Sequence, residues 1–322
     1  MYRNLTQSLV HPESKLLKSE FSIGICAADH ATNLRKLLDV IEHETYPEAL
    51  LLKKVIVVAS GCEPTALNFL NESEKRRYNF ILIDEPERRG KSEAINQIID
   101  SFDGEFLVLV NSDAMPERGA ISKLLDVIMQ NRDLGVVSAS PVLGRRSGIT
   151  GAVLQLLWGV HNECLRTLNV NDQNNHCCDE LVVVRSSALH KLPNGTVNDG
   201  AFLAGAAYRS GYKIRFCEEA KVRIDVPVRL GELMQQRRRI VYGHLQILRT
   251  VGQAPRTVES LLTDNPRLGL SILIKTIARS PTLILALPIA VIGETISVTL
   301  AVLDSLTSST KHAKWDRVGS RA

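Results

Sequence analysis

Short continuous apolar runs alternate along the chain with stretches whose apolar residues recur every three or four positions. Phe21 to Ala27, Val55 to Ala59, Phe80 to Ile83, Phe106 to Val110 and Gly135 to Ser138 read as buried strands. Leu34 to Ile41, Glu63 to Glu74, Ser92 to Ile99 and Ile121 to Met129 read as helices between them. Uninterrupted apolar strands separated by helices predict an α/β fold with a mostly parallel central sheet covered on both faces. Ligands of such sheets bind beyond the carboxyl ends of the strands. Three polar strand ends fall there: Ala28-Asp29, Ser60-Gly61 and Asn111-Ser112-Asp113. A strand needs no carboxylate at its tip; a carboxylate there is a reason to look for a metal or a phosphate-bearing ligand.

Past about residue 140 the rhythm changes. A Gly- and Arg-rich loop, Gly144 to Gly151, precedes a helix over Val153 to Leu168 and a polar run, Asn171 to Asn175. A strand is expected at Leu181 to Val184, a helix opening at Asp199 and ending at Gly211, a strand from Lys213, and an Arg-rich helix over Gln235 to Arg249. From Leu268 to Leu303 the chain is strongly apolar, with only Lys275, Arg279 and Glu294 charged. Thr282 to Leu303 is long enough to cross a hydrocarbon core, which takes roughly 20 residues. Pro288, Gly293 and Glu294 interrupt it, and a carboxylate in lipid costs at least about 2.5 kcal/mol. The preceding SILIKTIAR is basic and amphipathic, as a helix lying on a membrane surface is. The alternative is a helical hairpin packed on the domain itself. The expected divisions are 1–20 as an N-terminal extension, 21–140 and 141–250 as two halves of the main domain, 251–267 as a connector and 268–322 as a membrane-associated helical tail.

Composition changes this picture little. A chain of 322 residues, 44% hydrophobic and 23% charged, can bury a sizeable core, and its net charge of +4 does not call for nucleic acid. The run Arg237 to Arg239 has no interleaved aromatic residue, which argues against single-strand binding. The six cysteines include no CxxC pair, and the first twenty residues have no apolar stretch of signal-peptide length. Reduced thiols on the cytoplasmic side follow as the expectation. The tail residues Lys311, Lys314, Arg317 and Arg321 favour that same side. His161, Cys164, His176, Cys177 and Cys178 are metal-capable, but adjacent cysteines without finger spacing read as buried small thiols rather than zinc ligands.

The ordered strand ends, from Phe21 to Gly243, resemble the family 2 glycosyltransferases, the inverting GT-A enzymes that include cellulose and hyaluronan synthases. The resemblance implies a nucleoside-diphosphate sugar as donor. It places Ala28 and Asp29 at the base, Ser60 where an acidic residue usually holds uracil or ribose, and Arg89 and Lys91 of ERRGKSEAIN at the diphosphate. A helix N-terminus there adds free amide donors. Asn111-Ser112-Asp113 stands in the position of a D-x-D motif: Asp113 is the expected ligand of Mg2+ or Mn2+, and Asn111 the contact to ribose or sugar. Asn198-Asp199 stands at the family's acidic dipeptide, which makes Asp199 the expected general base. Gln236-Arg237-Arg238-Arg239-Ile240 resembles the synthase Q-x-x-R-W signature, with Gln236 and Arg239 at the leaving diphosphate and Ile240 replacing the Trp. The expected acceptor is a lipid-linked or glycan molecule at the membrane. Competing readings are helix capping by Asp199, a sugar nucleotidyltransferase (which lacks its Gly- and Arg-rich loop in AADHATN), and a non-catalytic sugar-nucleotide or lipid scaffold.

Overall fold

The computed structural model describes residues 18–28, 33–62, 67, 79–144, 147–307 and 312. The expected helix at Glu63 to Glu74, the site residue Asp29 and the basic tail residues lie outside the described residues. The chain runs β1 (Ser19–Ala28), α1 (Leu34–His43), β2 (Leu50–Ser60), β3 (Phe80–Glu85), α2 (Lys91–Ser101), β4 (Phe106–Asn111), β5 (Met115–Pro116), α3 (Ala120–Gln130), β6 (Leu134–Leu143) and α4 (Gly148–Asn169). It continues through β7 (Leu181–Arg185), α5 (Asp199–Arg209), β8 (Lys213–Ile224), α6 (Leu230–Val251), α7 (Val258–Asp264), α8 (Pro266–Arg279) and α9 (Leu287–Thr307).

All eight strands form one sheet in the order β3-β2-β1-β4-β7-β6-β8-β5. Neighbours β3, β2, β1 and β4 are parallel, as the apolar runs predict. β7 is inserted antiparallel between β4 and β6, and the two-residue β5 closes the edge antiparallel to β8. The strand side chains alternate between two cores, as a period of two requires. Ile23, Ile25, Val55, Val57, Val108 and Val110 face the layer of α1, α3 and α4, while Ile56, Val58, Leu107 and Leu109 face α2 and α5. Both faces are therefore covered, which is why these strands read as continuous apolar runs.

The C-terminal helices are neither a free anchor nor a simple hairpin. Ile272 of α8, Ala286 before α9, and Ala290 and Ala301 of α9 are buried against the domain. The opposite side of the same helices is bare: Leu285 is 79% exposed, Ile292 61% and Leu306 74%. Pro281–Thr307 is long and apolar enough to cross a membrane, and its most apolar 18-residue window has a mean hydropathy of 2.1 and is 22% buried. Glu294, which interrupts this stretch, faces the protein, where it meets Arg237.

Candidate active site

The parallel strands β1, β2 and β4 end together at Ala28, Ser60 and Asn111, and these ends line one cavity of about 1020 Å³. Because β7 runs the other way, the residues before it arrive at the same edge: Val110 pairs with Leu181, and Asn111 N–H donates to Glu180 O at 3.2 Å. Asp179 and Glu180 thus join the cavity from a strand start. A third approach comes from α5. Its N-cap is Asn198, whose side chain accepts from Ala201 N–H at 3.0 Å, so the capping role falls to Asn198 and the carboxylate of Asp199 is left for other partners. Two glycines permit the convergence. A Cβ on Gly200 would stand 2.6 Å from Asp179 Cβ, and one on Gly243 of α6 would stand 2.7 Å from Asn198 Cβ. Side chains at either place would push the carboxylates apart.

Lys91, the first residue of α2, joins them. Its Nζ donates to Asp179 Oδ2 at 2.8 Å and lies 2.8 Å from Asp199 Oδ2. Burial works against its charge, but the carboxylates of Asp179 and Asp199 hold the Lys91 ammonium well above its usual range. Asp199 is pushed up to about 6, by burial first and then by Asp179, with Lys91 opposing. Burial would also raise Asp179, yet the Lys91 charge and hydrogen bond bring it down to about 2. Glu180 is pushed up to about 8 by burial and by the charges of Asp179 and Asp113, although Asn111 Nδ2 donates to it at 2.9 Å. Asp179 and Asp199 thus share one ammonium, with Glu180 held largely protonated beside them.

The surrounding loops hold this arrangement. Asn96 of α2 both donates to Leu192 O at 2.9 Å and accepts from Leu192 N–H at 2.8 Å, which ties α2 to the loop leading to Asp199. Gln246 of α6 accepts from Val197 N–H at 2.9 Å and donates to Gly195 O at 3.0 Å. Arg239 donates to Val197 O at 3.2 Å and feels the charges of Asp199 and Asp179.

The expected residues Ala28, Ser60, Lys91, Asn111, Asp113, Asp199, Gln236 and Arg239 all line the cavity. Ser60 is buried and its hydroxyl has no hydrogen-bond partner. Arg89 does not line it: its exposed side chain turns to Glu85 at 3.4 Å, and Arg88 takes the place at the cavity wall. The arginine run divides. Arg237 Nε donates to Glu294 Oε1 at 2.6 Å and its Nη2 to Glu259 Oε1 at 3.0 Å, while Arg238 forms a two-bond pair with Asp304 at 2.6 Å and 2.6 Å. Only Arg239 reaches the carboxylates. Asp179 and Glu180 were expected only as alternatives to Asp199 for the base; the adjacent acids before the apolar Leu181 to Val184 were their signal. Cys177 and Cys178 are buried thiols pushed well above their usual range, first by burial.

For a divalent ion, the described residues offer no cluster of three His, Cys, Asp or Glu ligands. They do offer Asp113 at the cavity wall beside Glu180, a pair of carboxylates whose mutual repulsion a cation would relieve. Such a donor set fits Mg2+ or Mn2+, which take few protein oxygens and complete their shell with phosphates and water.

The family model described as Glycosyl transferase family 2 matches residues 22–192. Among curated proteins, the chain is 22% identical over 244 residues to a poly-beta-1,6-N-acetyl-D-glucosamine synthase of Staphylococcus epidermidis, covering 74% of this chain and 58% of that protein. A synthase of the same name from Staphylococcus aureus (strain COL) is 22% identical over 61% of this chain and 48% of its own length. The chain thus spans about half the length of the curated relatives it matches. Among solved structures, the mannosyltransferase PcManGT of Pyrobaculum calidifontis, in complex with GDP-Man and Mn2+, superposes with a TM-score of 0.61 at 18% identity, covering 91% of this chain and 88% of that one. The mostly parallel, helix-covered sheet is accordingly of the GT-A kind.

Proposed function

Because this chain belongs to glycosyl transferase family 2, and is a glycosyltransferase of GT-A fold, we propose that it moves a sugar from a nucleoside diphosphate to an acceptor hydroxyl at a membrane, with inversion. The observation that carries the reading is Asp199. It is released from helix capping by Asn198, buried, raised to about 6, and turned into the cavity that Asp113 also lines. A carboxylate of that basicity is suited to take a proton from an attacking hydroxyl near neutral pH. Lys91 orients it through the 2.8 Å contact and keeps it ionised above that range. The nucleoside lies against Ala28, Ser60 and Asn111, and the diphosphate is met by Arg88 and Arg239. A divalent ion held by Asp113 supplies, when bound, positive charge against the leaving diphosphate.

The acceptor side is argued from the tail. The cavity that contains Asp199 is also lined by Leu287, Ala290, Val291 and Val298 of α9. Val291 is 56% exposed on the outer surface, so the catalytic chamber runs to the bare apolar face. An apolar face of this kind, with Lys275 and Arg279 beside it, is read as lying in or against a bilayer, with the catalytic domain on the cytoplasmic side.

The test is diphosphate release by the full chain in detergent with Mn2+ or Mg2+. The donor panel opens with GDP-mannose and a nucleotide-activated N-acetylglucosamine, because the relatives' names point there. Metal-dependent release, lost in Asp199→Asn but with donor binding retained, is expected. Donor binding without turnover in the parent chain under all conditions would make it a scaffold instead.

A further inference from the structure

Beyond Asp199 the cavity contains a second set of groups that the transfer chemistry does not use. Trp158 and His161 lie one turn apart on α4 and meet edge to face, with ring centroids 5.2 Å apart. His161 in turn meets His176, from the loop before β7, at 5.1 Å, and His176 meets His244 of α6 at 5.8 Å. All four rings line the cavity. Each imidazole has a buried nitrogen with no hydrogen-bond partner among the described residues: Nε2 of His161, Nδ1 of His176 and Nε2 of His244. The large majority of buried side-chain polar atoms have a partner, so three orphans on one wall mark a place where something polar is to be bound.

The charge there decides what. The cation that all three rings feel is Arg237, and its guanidinium is already matched by two carboxylates, Glu294 at 2.6 Å and Glu259 at 3.0 Å. Arg237 with these two acids carries a net negative charge. The imidazoles add none, since burial pushes His176 down to about 4 and holds His161 and His244 well below the usual imidazole range. A neutral imidazole offers one donor and one acceptor, which suits hydroxyl groups, and an unpaired phosphate would enter against the two glutamates. The indole adds a flat apolar wall.

We infer that Trp158, His161, His176 and His244 form the acceptor chamber, and that it takes an uncharged, hydroxyl-bearing head such as a sugar ring, not a phosphate. This rests on the transferase reading and names the acceptor class for it. A glycolipid reaching in past Val291 and the free end of a glycan share this chemistry.

The test uses the full chain carrying Trp315→Phe, which leaves Trp158 as the sole indole, in a zwitterionic, sugar-free detergent. Trp158 emission is titrated with short alkyl glycosides, with a free tetrasaccharide of the same sugar, and with decyl phosphate. Saturable binding of the glycoside or the tetrasaccharide, at least tenfold tighter than decyl phosphate, is expected. Preference for the glycoside identifies a glycolipid, equal binding a free glycan end, and either supports the chamber. His176→Phe and His244→Phe keep the rings and remove the nitrogens, and each should weaken glycoside binding at least tenfold. Decyl phosphate binding as well as the glycosides, or no saturable response to any sugar, overturns the inference without needing a variant. Donor affinity, read separately by calorimetry with the nucleotide sugar, separates the two failures. A chain that binds donor but no glycoside loses only the chamber, and one that binds no donor loses the transferase reading.

Discussion

Two regions of this molecule bury basic residues among acids, and they do so in opposite ways. At the sheet edge Lys91 is shared by Asp179 and Asp199, with Glu180 nearby and further acid at Asp113. At the seam between α6 and α9, Arg238 meets Asp304 through two parallel bonds, and Arg237 is clasped by Glu294 and Glu259. The seam pairs have their geometry satisfied and connect secondary-structure elements. At the edge, the carboxylates titrate away from their usual values, in both directions, beside a cavity. An ion pair that fastens two elements reads as structure, and one whose members have displaced titration at a cavity wall reads as a site.

The contrast can be broken by removing one charge from each region. The largest effect on folding is expected at the seam. Glu294→Leu removes the bonds it accepts from Arg237 and leaves the guanidinium with Glu259, which should cost about 2 kcal/mol in a urea melt. Donor affinity should stay as it was. A melt unchanged within error would mean that the seam pair is ornamental. At the edge the reverse is expected. Asp199→Asn should lower single-turnover transfer by about a hundredfold or more with little change in the melt, because Asn198 is the residue that caps α5. A loss of stability with an unchanged rate would return Asp199 to a structural role.

Asp113→Ala comes next. It should abolish the metal dependence of donor binding, seen by calorimetry with and without Mn2+, and leave the fold intact. Unchanged affinity in the mutant would remove the metal assignment. A subtler effect concerns pH. With Asp199 at about 6, the transfer rate should climb with pH and level off about one unit higher, since only the ionised form accepts a proton. Lys91 lowers the Asp199 value, so Lys91→Met should move that rise to higher pH. A midpoint that stays in place would show that Lys91 does not tune the base. The smallest effect on stability is expected from Leu285→Glu with Ile292→Glu on the bare face. The melt should be unchanged, while flotation with liposomes should fall.

Most of the fold was legible because buried parallel strands leave an unmistakable apolar signature, and Val55 to Ala59 and Phe106 to Val110 appear where that signature puts them. The site was legible where it uses strand ends and helix starts, as at Ser60, Asn111 and Lys91. It was not legible at Asp179 and Glu180, because an expectation of parallel strands looks to their carboxyl ends, and β7 brings its amino end to the edge. Nor could the sequence divide neighbours. Whether Arg88 or Arg89 faces the cavity, and whether Asn198 or Asp199 caps α5, depend on one residue of phase. The tail was legible as apolar helices, but periodicity alone does not show that one side of α9 is core while the other is bare.

Arg237, Arg238 and Arg239 are consecutive on α6, where each residue is turned about 100° from the last. Arg237 bonds Glu294, Arg238 bonds Asp304, and Arg239 turns to Val197 and the carboxylates of the sheet edge. Replacing any one of them alters a single partnership. Inserting or deleting a residue just before them rotates all three at once, sending a seam arginine towards the sheet edge and Arg239 away from it. This stretch should therefore drift among descendants by substitution and keep its length, and a variant one residue longer there should lose tail attachment and transfer together.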